Sequence, residues 1–404
     1  MSRISKAPAV SLLERPIWIL LIAIAVPVLF LIVVDIARHF QLGGQDKTIL
    51  LGRDFINYYS SSVLVLQNDL TTLFDPAQYQ AFQRQYFDAP DLSGHSWSYP
   101  PHFLFLTWPL SFFPYLLSLT LWSVLGFFAF YKVSKFYTGN SHDALILALT
   151  PAVLICIASG QNGLLSSCLI AAPFAIKNNH PRIAGILLGL LTYKPQLGVL
   201  IPIALILMRD WRVILWAGIT TLALLGASVG LFGTEPWSRF IYDVMPYQSL
   251  ILVEMGPPFS YMVPSVYKSA LLTGGGKNLA IILQLIMSLL SVGLVVWAFL
   301  KKCRYDLQLA CLFTSILLFS PYLVIYDMPI LALAVYLYFR FLRESGQAVS
   351  RPKIYLLLFI AGLPLFSFLL TANHLPIAPI FLIGFVVCLV RAIKLDSASD
   401  SVAA

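Results

Sequence analysis

Residues 184–207 read AGILLGLLTYKPQLGVLIPIALIL: two apolar runs, 183–193 and 196–208, interrupted by Tyr193, Lys194, Pro195 and Gln196. As helices rising 1.5 Å per residue, the runs reach about 17 Å and about 20 Å, short of the roughly 30 Å hydrocarbon core of a bilayer. The interruption therefore sits at membrane depth, whether the pair crosses or re-enters. Polar, irregular backbone is tolerated there only where protein or a water-filled cavity surrounds it. A lysine at that depth costs about 2.5–3.5 kcal/mol on insertion scales, and such a residue is a functional candidate by default. Its bland alternative, a lysine snorkelling to the surface, is weakened by the helix-ending Pro195 beside it.

The rest of the chain has the same character. Of 404 residues 59% are hydrophobic and 11% charged, with a mean hydropathy of +0.83, against ~45–50% and ~25% in a soluble domain. A soluble protein is excluded. Further apolar runs fall at 16–37, 114–136, 143–158, 164–177, 212–232, 278–300, 306–320, 322–340, 354–371 and 376–392, giving about twelve full or half-length spans. The sequence thus reads as an all-α polytopic membrane protein, one integral-membrane domain over 1–404. The first run is too long for a cleaved signal segment and lacks a small-x-small site, so it reads as an uncleaved span. The net charge of +8 forms no basic stripe, which excludes nucleic acid as a partner. The five cysteines show neither a disulfide framework nor a zinc pattern.

If the N-terminus is cytoplasmic, 18 of the 26 basic residues fall inside, as the positive-inside rule requires. Both termini, including a tail at 395–404, are then cytoplasmic. The long loops 38–100 and 233–277 lie outside, which places the chemistry on the extracytoplasmic, periplasmic side of an inner (plasma) membrane. In the first loop, Phe55, Tyr59, Ser62, Val63 and Leu66 form one helical stripe, and Tyr79, Phe82 and Tyr86 another. Both are expected as interfacial helices lying on the membrane. Trp237, Phe240, Ile241, Val244 and Gln248 repeat the pattern in the second loop. Between spans three and four, Ser159-Gly160-Gln161-Asn162-Gly163 is a second sunken turn, expected with 193–196 to floor an outward-facing cavity.

Several side chains are candidates for chemistry. Asp54, in Gly52-Arg53-Asp54-Phe55, reads either as a helix N-cap or as a general base that takes a proton from a sugar hydroxyl; capping would also fix its side chain. Asp75, before Pro76 with Gln78 following, has the full signature of a cap. Lys194 suits the phosphate of a lipid carrier, with Arg53 a second phosphate partner or a plain loop charge. Gln161 and Asn162 offer amides to a sugar or cap the span ends. Tyr322 and Asp327, after Ser320-Pro321 at the start of span ten, suit a donor sugar or a second carboxylate. Asn57, Tyr99, Tyr193 and Gln196 complete the candidate substrate-binding set. His102 and His374 are isolated, and no histidine pair has metal-ligand spacing; no metal or cofactor is called for.

The stretches GRDFINYYSSSVLVLQN, LFDP, YPPHFLFLTWPLSFFPY, SGQNGLL, AGILLGLLTYKPQLGVLIPIALIL and SPYLVIYDMPILAL run in order from residue 52 to residue 333. As an ordered set they resemble glycosyltransferase family 87, polyprenyl-phosphate-sugar-dependent transferases that include mannosyltransferases and belong to the C-type integral-membrane superfamily. The resemblance implies a C-type bundle and an inverting, single-displacement transfer at the outer face. It implies a polyprenyl-phosphate-linked sugar donor, a lipid or glycan acceptor, and an acidic residue of the first external loop as base, which falls on Asp54. Some members carry histidines where this chain has Tyr322, Tyr326 and Asp327, so the sugar stays open around a mannose-like hexose. A solute transporter with a midplane site and a non-catalytic carrier-binding or flipping protein are the rival readings.

Overall fold

The computed structural model describes residues 51–345 and 350–402, with side chains placed up to 398, and Val26 alone before them. The expected first span at 16–37, the start of the first external loop (38–50) and the end of the tail lie outside the described residues. Everything described is helix, turn or loop, with no strand.

Within the long loop 38–100, α1 (Phe55–Leu66) and α2 (Pro76–Tyr86) precede the first long described helix, α3 (Tyr115–Thr138). Pro114 starts α3, and Gly139, in the left-handed conformation at φ 73°, ends it. A sharply bent pair follows, α4 (Ser141–Ala148) and α5 (Pro151–Ser159), meeting at 56°. Then come α6 (Gly163–Ile176), α7 (Pro181–Leu190), α8 (Ile201–Leu207) and α9 (Trp211–Phe232). The long loop 233–277 holds α10 (Met245–Glu254) and α11 (Val266–Leu272). Beyond it lie α12 (Gly276–Leu300), α13 (Tyr305–Phe319), α14 (Pro329–Glu344), the bent pair α15 (Arg351–Ala361) and α16 (Leu363–Ala372) meeting at 73°, and α17 (Ala378–Val402).

Among the described residues, four helices are long and apolar enough to cross a membrane, α3, α9, α12 and α17, or six if each bent pair is one span. Every described apolar run is helical in large part, but prolines at 151, 195, 202, 329 and 364 cut several of them. The break between α7 and α8 is one case of a general habit. The expected span at 322–340 starts only at Pro329, so Tyr322 and Asp327 belong to a largely non-helical segment with a single 3-10 turn, Ile325–Asp327. Residues 306–318 of α13, apart from Gln308, and nearly all of α14 are buried, so these two form the centre of the bundle. Helix α7 reaches α9 through Gly185 and Gly189, where an added Cβ would lie 2.5 Å from the Cβ atoms of Trp216 and Thr220. This is the small-residue contact by which membrane helices approach closely.

Two expectations for the external loops change. Helix α1 does not lie on a surface: residues 55–65 are all buried. Two of its three serines are satisfied by protein, while Ser60 Oγ is buried without a partner. Ser61 donates to Tyr58 O and to Thr107 Oγ1, while Ser62 bonds Ser111 Oγ and Trp108 O. In α2, Asp75 caps Ala77 N and Gln78 N, but the inward face is Tyr79 and Gln83, with Tyr86 45% exposed. In the second loop the stripe is split, Val244 being buried and Ile241 exposed, while Gln248 turns to the first loop. The two loops are joined by Gln248 Nε2 to Ser96 Oγ at 2.8 Å and Gln80 Nε2 to Tyr247 OH at 3.1 Å.

Candidate active site

Three helix breaks converge on one polar cluster. The first, 159–163, joins α5 to α6, with Gly160 left-handed at φ 67°. The second, 191–195, ends α7. The third is 320–328. The first and third touch through backbone: a Cβ at Gly163 would lie 1.7 Å from Tyr326 O, so only glycine fits. The first and second meet where Tyr193 OH and Ser166 Oγ share a hydrogen bond of 2.7 Å. The second and third are tied by Lys194 Nζ donating to Asp327 Oδ1 at 2.6 Å, with side chains only 6% and 4% exposed. Lys194 Nζ also stands 5.7 Å from the centre of the Tyr326 ring.

Asp54 enters from α1. It occupies the N-cap position, yet its carboxylate makes no capping hydrogen bond. Instead Asp54 N donates to Ser159 O at 3.0 Å, and Gln161 Nε2 donates to Asp54 Oδ2 at 2.8 Å. The residue is thus fixed by the sunken turn, while its side chain stays 20% exposed. Gln161 passes the contact on, since its Oε1 accepts from Tyr58 OH at 2.6 Å and Tyr58 OH pairs with Tyr99 OH at 2.8 Å. Tyr99 packs on Phe103, which stacks on Tyr193 at 4.4 Å and 18°. These rings fill the space over the turns, so Lys194 and Asn162 are 5% and 1% exposed and do not face an open cavity.

Asp54, Tyr99, Gln161, Asn162, Tyr193, Lys194 and Asp327 therefore belong to one cluster. Asn57 borders it, its amide donating to Ser96 O at 3.2 Å while its Oδ1 has no partner. Both amide atoms of Asn162 and the hydroxyl of Tyr322 are buried without a hydrogen bond. Such orphan groups cost about 1–3 kcal/mol each; they lie sealed beneath the rings rather than open to a ligand. Arg53 is exposed next to Asp54. Gln196 is half-buried and makes no side-chain hydrogen bond to the others. The separate roles first read for Lys194 and Asp327 are corrected in one respect: each is now the other's partner, and neither ammonium nor carboxylate stands open.

Among the described residues no three of His, Cys, Asp or Glu gather as a metal site. Sequence reasoning missed His95, whose Nε2 lies 3.9 Å from Asp54 Oδ1, with the ring 29% exposed. It also missed Tyr58 and Ser166, because Tyr58 meets Gln161 and Ser166 meets Tyr193 over sequence separations that no local spacing signals. His102 is not isolated: its Nε2 is 3.3 Å from Thr192 Oγ1 and its ring lies parallel to Trp237 at 5.8 Å. Burial pulls His102 down to about 4.

A single open carboxylate, anchored through one oxygen above a sealed polar cluster, is suited to accepting a proton from a substrate hydroxyl. The sequence model of glycosyltransferase family 87 matches residues 97–321, more than half of the chain. The chain belongs to glycosyltransferase family 87. The match takes in Tyr99, the turn at 159–163 and the interruption at 193–196; Asp54 lies before it and Asp327 after it. Among curated proteins and among solved structures nothing matches the chain. Family membership makes the protein a glycosyltransferase, and its apolar helices make it a membrane protein.

Proposed function

We propose that this family 87 glycosyltransferase is an inverting hexosyltransferase that moves a mannose-like sugar from a polyprenyl-phosphate carrier to a lipid or glycan hydroxyl. Asp54 removes the hydroxyl proton as the oxygen attacks the anomeric carbon. The bond from that carbon to the carrier phosphate breaks with inversion, and the phosphate keeps the electron pair. Arg53, exposed beside Asp54, meets the departing phosphate, while Lys194 reaches it only by sharing its ammonium with Asp327. The unpartnered amides of Asn162 and Asn57, with Tyr99 and Gln161 beside them, hold the sugar hydroxyls once the rings over them move aside. Tyr193, Gln196 and Tyr322 complete the substrate-binding set.

The observation that carries this reading is the Asp54 carboxylate, held at Oδ2 by Gln161 at 2.8 Å and still open to solvent. The extracytoplasmic assignment draws support from the two ends of α3. Tyr115 OH donates to Leu51 O beside Asp54, and about 33 Å away along the helix Tyr137 O accepts from Arg340. Arg340 and Arg304 share Asp306 at that far end, so the cationic end and the candidate site are a membrane thickness apart. With the N-terminal span counted, the half-length helices fit a C-type bundle of about twelve segments in an inner membrane, both termini cytoplasmic.

Purified protein is incubated with radiolabelled polyprenyl-phosphate hexoses and a lipid extract as acceptor. Asp54→Asn is expected to lower transfer by about 10² to 10⁴ while the protein stays folded and binds carrier. Wild-type turnover in that variant overturns the assignment. A labelled product also separates transfer from mere carrier binding or flipping.

A further inference from the structure

We propose that His95 is a positioning residue for Asp54, donating to its second carboxylate oxygen so that the base keeps one orientation during transfer. This rests on the reading of Asp54 as the base. The two oxygens of Asp54 are held unequally. Oδ2 accepts from Gln161 Nε2 at 2.8 Å, whereas Oδ1 faces His95 Nε2 at 3.9 Å, about 1 Å beyond hydrogen-bond length. A small rotation of either side chain closes that gap, and catalytic contacts commonly tighten only when substrate is bound. A carboxylate gripped through one oxygen keeps some freedom to turn, because its terminal torsion is broad. Gripped through both, it presents its remaining lone pair in one direction.

The segment carrying His95 is pinned from three sides, and none of the pins uses the imidazole. Its backbone N–H donates to Gln83 Oε1 of α2 at 2.7 Å. Ser96 O accepts from Asn57 of α1, and Ser96 Oγ accepts from Gln248 of α10. Arg84 Nε holds Leu92 O at 3.1 Å. Backbone and neighbours fix the loop, leaving the ring free to serve Asp54. The histidine is thus delivered to the carboxylate jointly by both external loops.

The test is steady-state transfer by His95→Ala and His95→Gln, each also in the Asp54→Asn background. His95→Ala is expected to lower kcat about ten- to a hundred-fold, the range a misplacement of about 1 Å produces, with donor and acceptor KM unchanged. His95→Gln keeps an N–H donor and is expected to restore most of that loss. In Asp54→Asn, adding His95→Ala is expected to cost nothing more, since both act through one carboxylate. Because the loop is held by backbone, thermal midpoints should match the wild type. Wild-type kcat in His95→Ala overturns the proposal, as does a loss that appears in acceptor KM, or a glutamine variant as slow as alanine. An inactive Asp54→Asn beside a silent His95→Ala removes only the positioning role; an active Asp54→Asn removes the reading of the base itself.

Discussion

Replacing Lys194 with methionine tests what ties the second and third helix breaks together. The ammonium and the Asp327 carboxylate are 2.6 Å apart, with side chains 6% and 4% exposed. At that separation their attraction is ~6 kcal/mol with an effective dielectric constant of about 20, and desolvation of both groups offsets much of it. Lys194→Met leaves the Asp327 charge buried against Tyr326, and breaking a buried pair from one side costs about 3–5 kcal/mol. Lys194→Met with Asp327→Leu removes both charges and is expected to recover to within about 1–2 kcal/mol of wild type, because replacing a buried pair by apolar groups is often near neutral. The difference between the single variants and the double gives the coupling. It is read by denaturant titration in mixed micelles, followed by tryptophan fluorescence, with sugar transfer measured on the same samples. A single Lys194→Met variant that loses less than about 1 kcal/mol refutes the idea that this pair holds the breaks together. A double variant that is stable yet inactive assigns Lys194 to substrate; one that is stable and active makes the pair purely structural.

Two further outcomes follow from burial and close approach. Gly163→Ala drives a methyl into Tyr326 O, 1.7 Å away and part of the backbone, so little folded protein should be recovered. Gly139→Ala, with nothing within 4 Å but φ 73°, is expected to cost only about 1 kcal/mol; similar yields of the two variants contradict the contact. For His102 the folded value near 4 lies below the ordinary imidazole value of about 6.5. The unfolded chain therefore binds the proton first, and stability present above about pH 6.5 is lost as pH falls toward 4, by on the order of 3 kcal/mol. Thermal midpoints of wild type and His102→Gln across that window check it: the wild type should fall more steeply.

Hydropathy and proline are local signals, and what they encode was legible. The interruption at 193–196, the turn at 159–163, the cap at Asp75 and the all-helical class were readable one segment at a time. Ser61 and Ser62 show where local reading fails. Ser62 reads as part of a stripe lying on the membrane, whereas in α1 Ser61 and Ser62 bond Thr107, Trp108 and Ser111 of the chain folded over them. Membrane helices gain little by expelling water from one another, so small hydroxyl residues are suited to buried contacts. The pairings that build the site are long-range in the same way. Gln161 reaches Asp54, and Lys194 reaches Asp327, across more than a hundred residues, so each half of a pair looked like an independent functional group.

Exposure within the cluster separates holding from reacting. It falls from 29% at His95 and 20% at Asp54 on the rim to 6% at Lys194 and 4% at Asp327 beneath. A group that must meet an incoming hydroxyl has to be at the rim, and a charge that is sealed in has to be paired to stay there. The layer between, Gln161, Tyr58 and Tyr99, transmits no charge but fixes where the rim carboxylate points. Substitutions at Asp54 and His95 should therefore change turnover without changing unfolding, and substitutions at Lys194 and Asp327 should change unfolding first. Gln161→Ala, cutting the only hydrogen bond that reaches the Asp54 side chain from the turn, should behave like a rim variant although it sits on the buried floor. If it instead behaved like Lys194→Met, the carboxylate would be held by the packing of α1 rather than by the amide, and the division between rim and floor would fail at the residue that joins them.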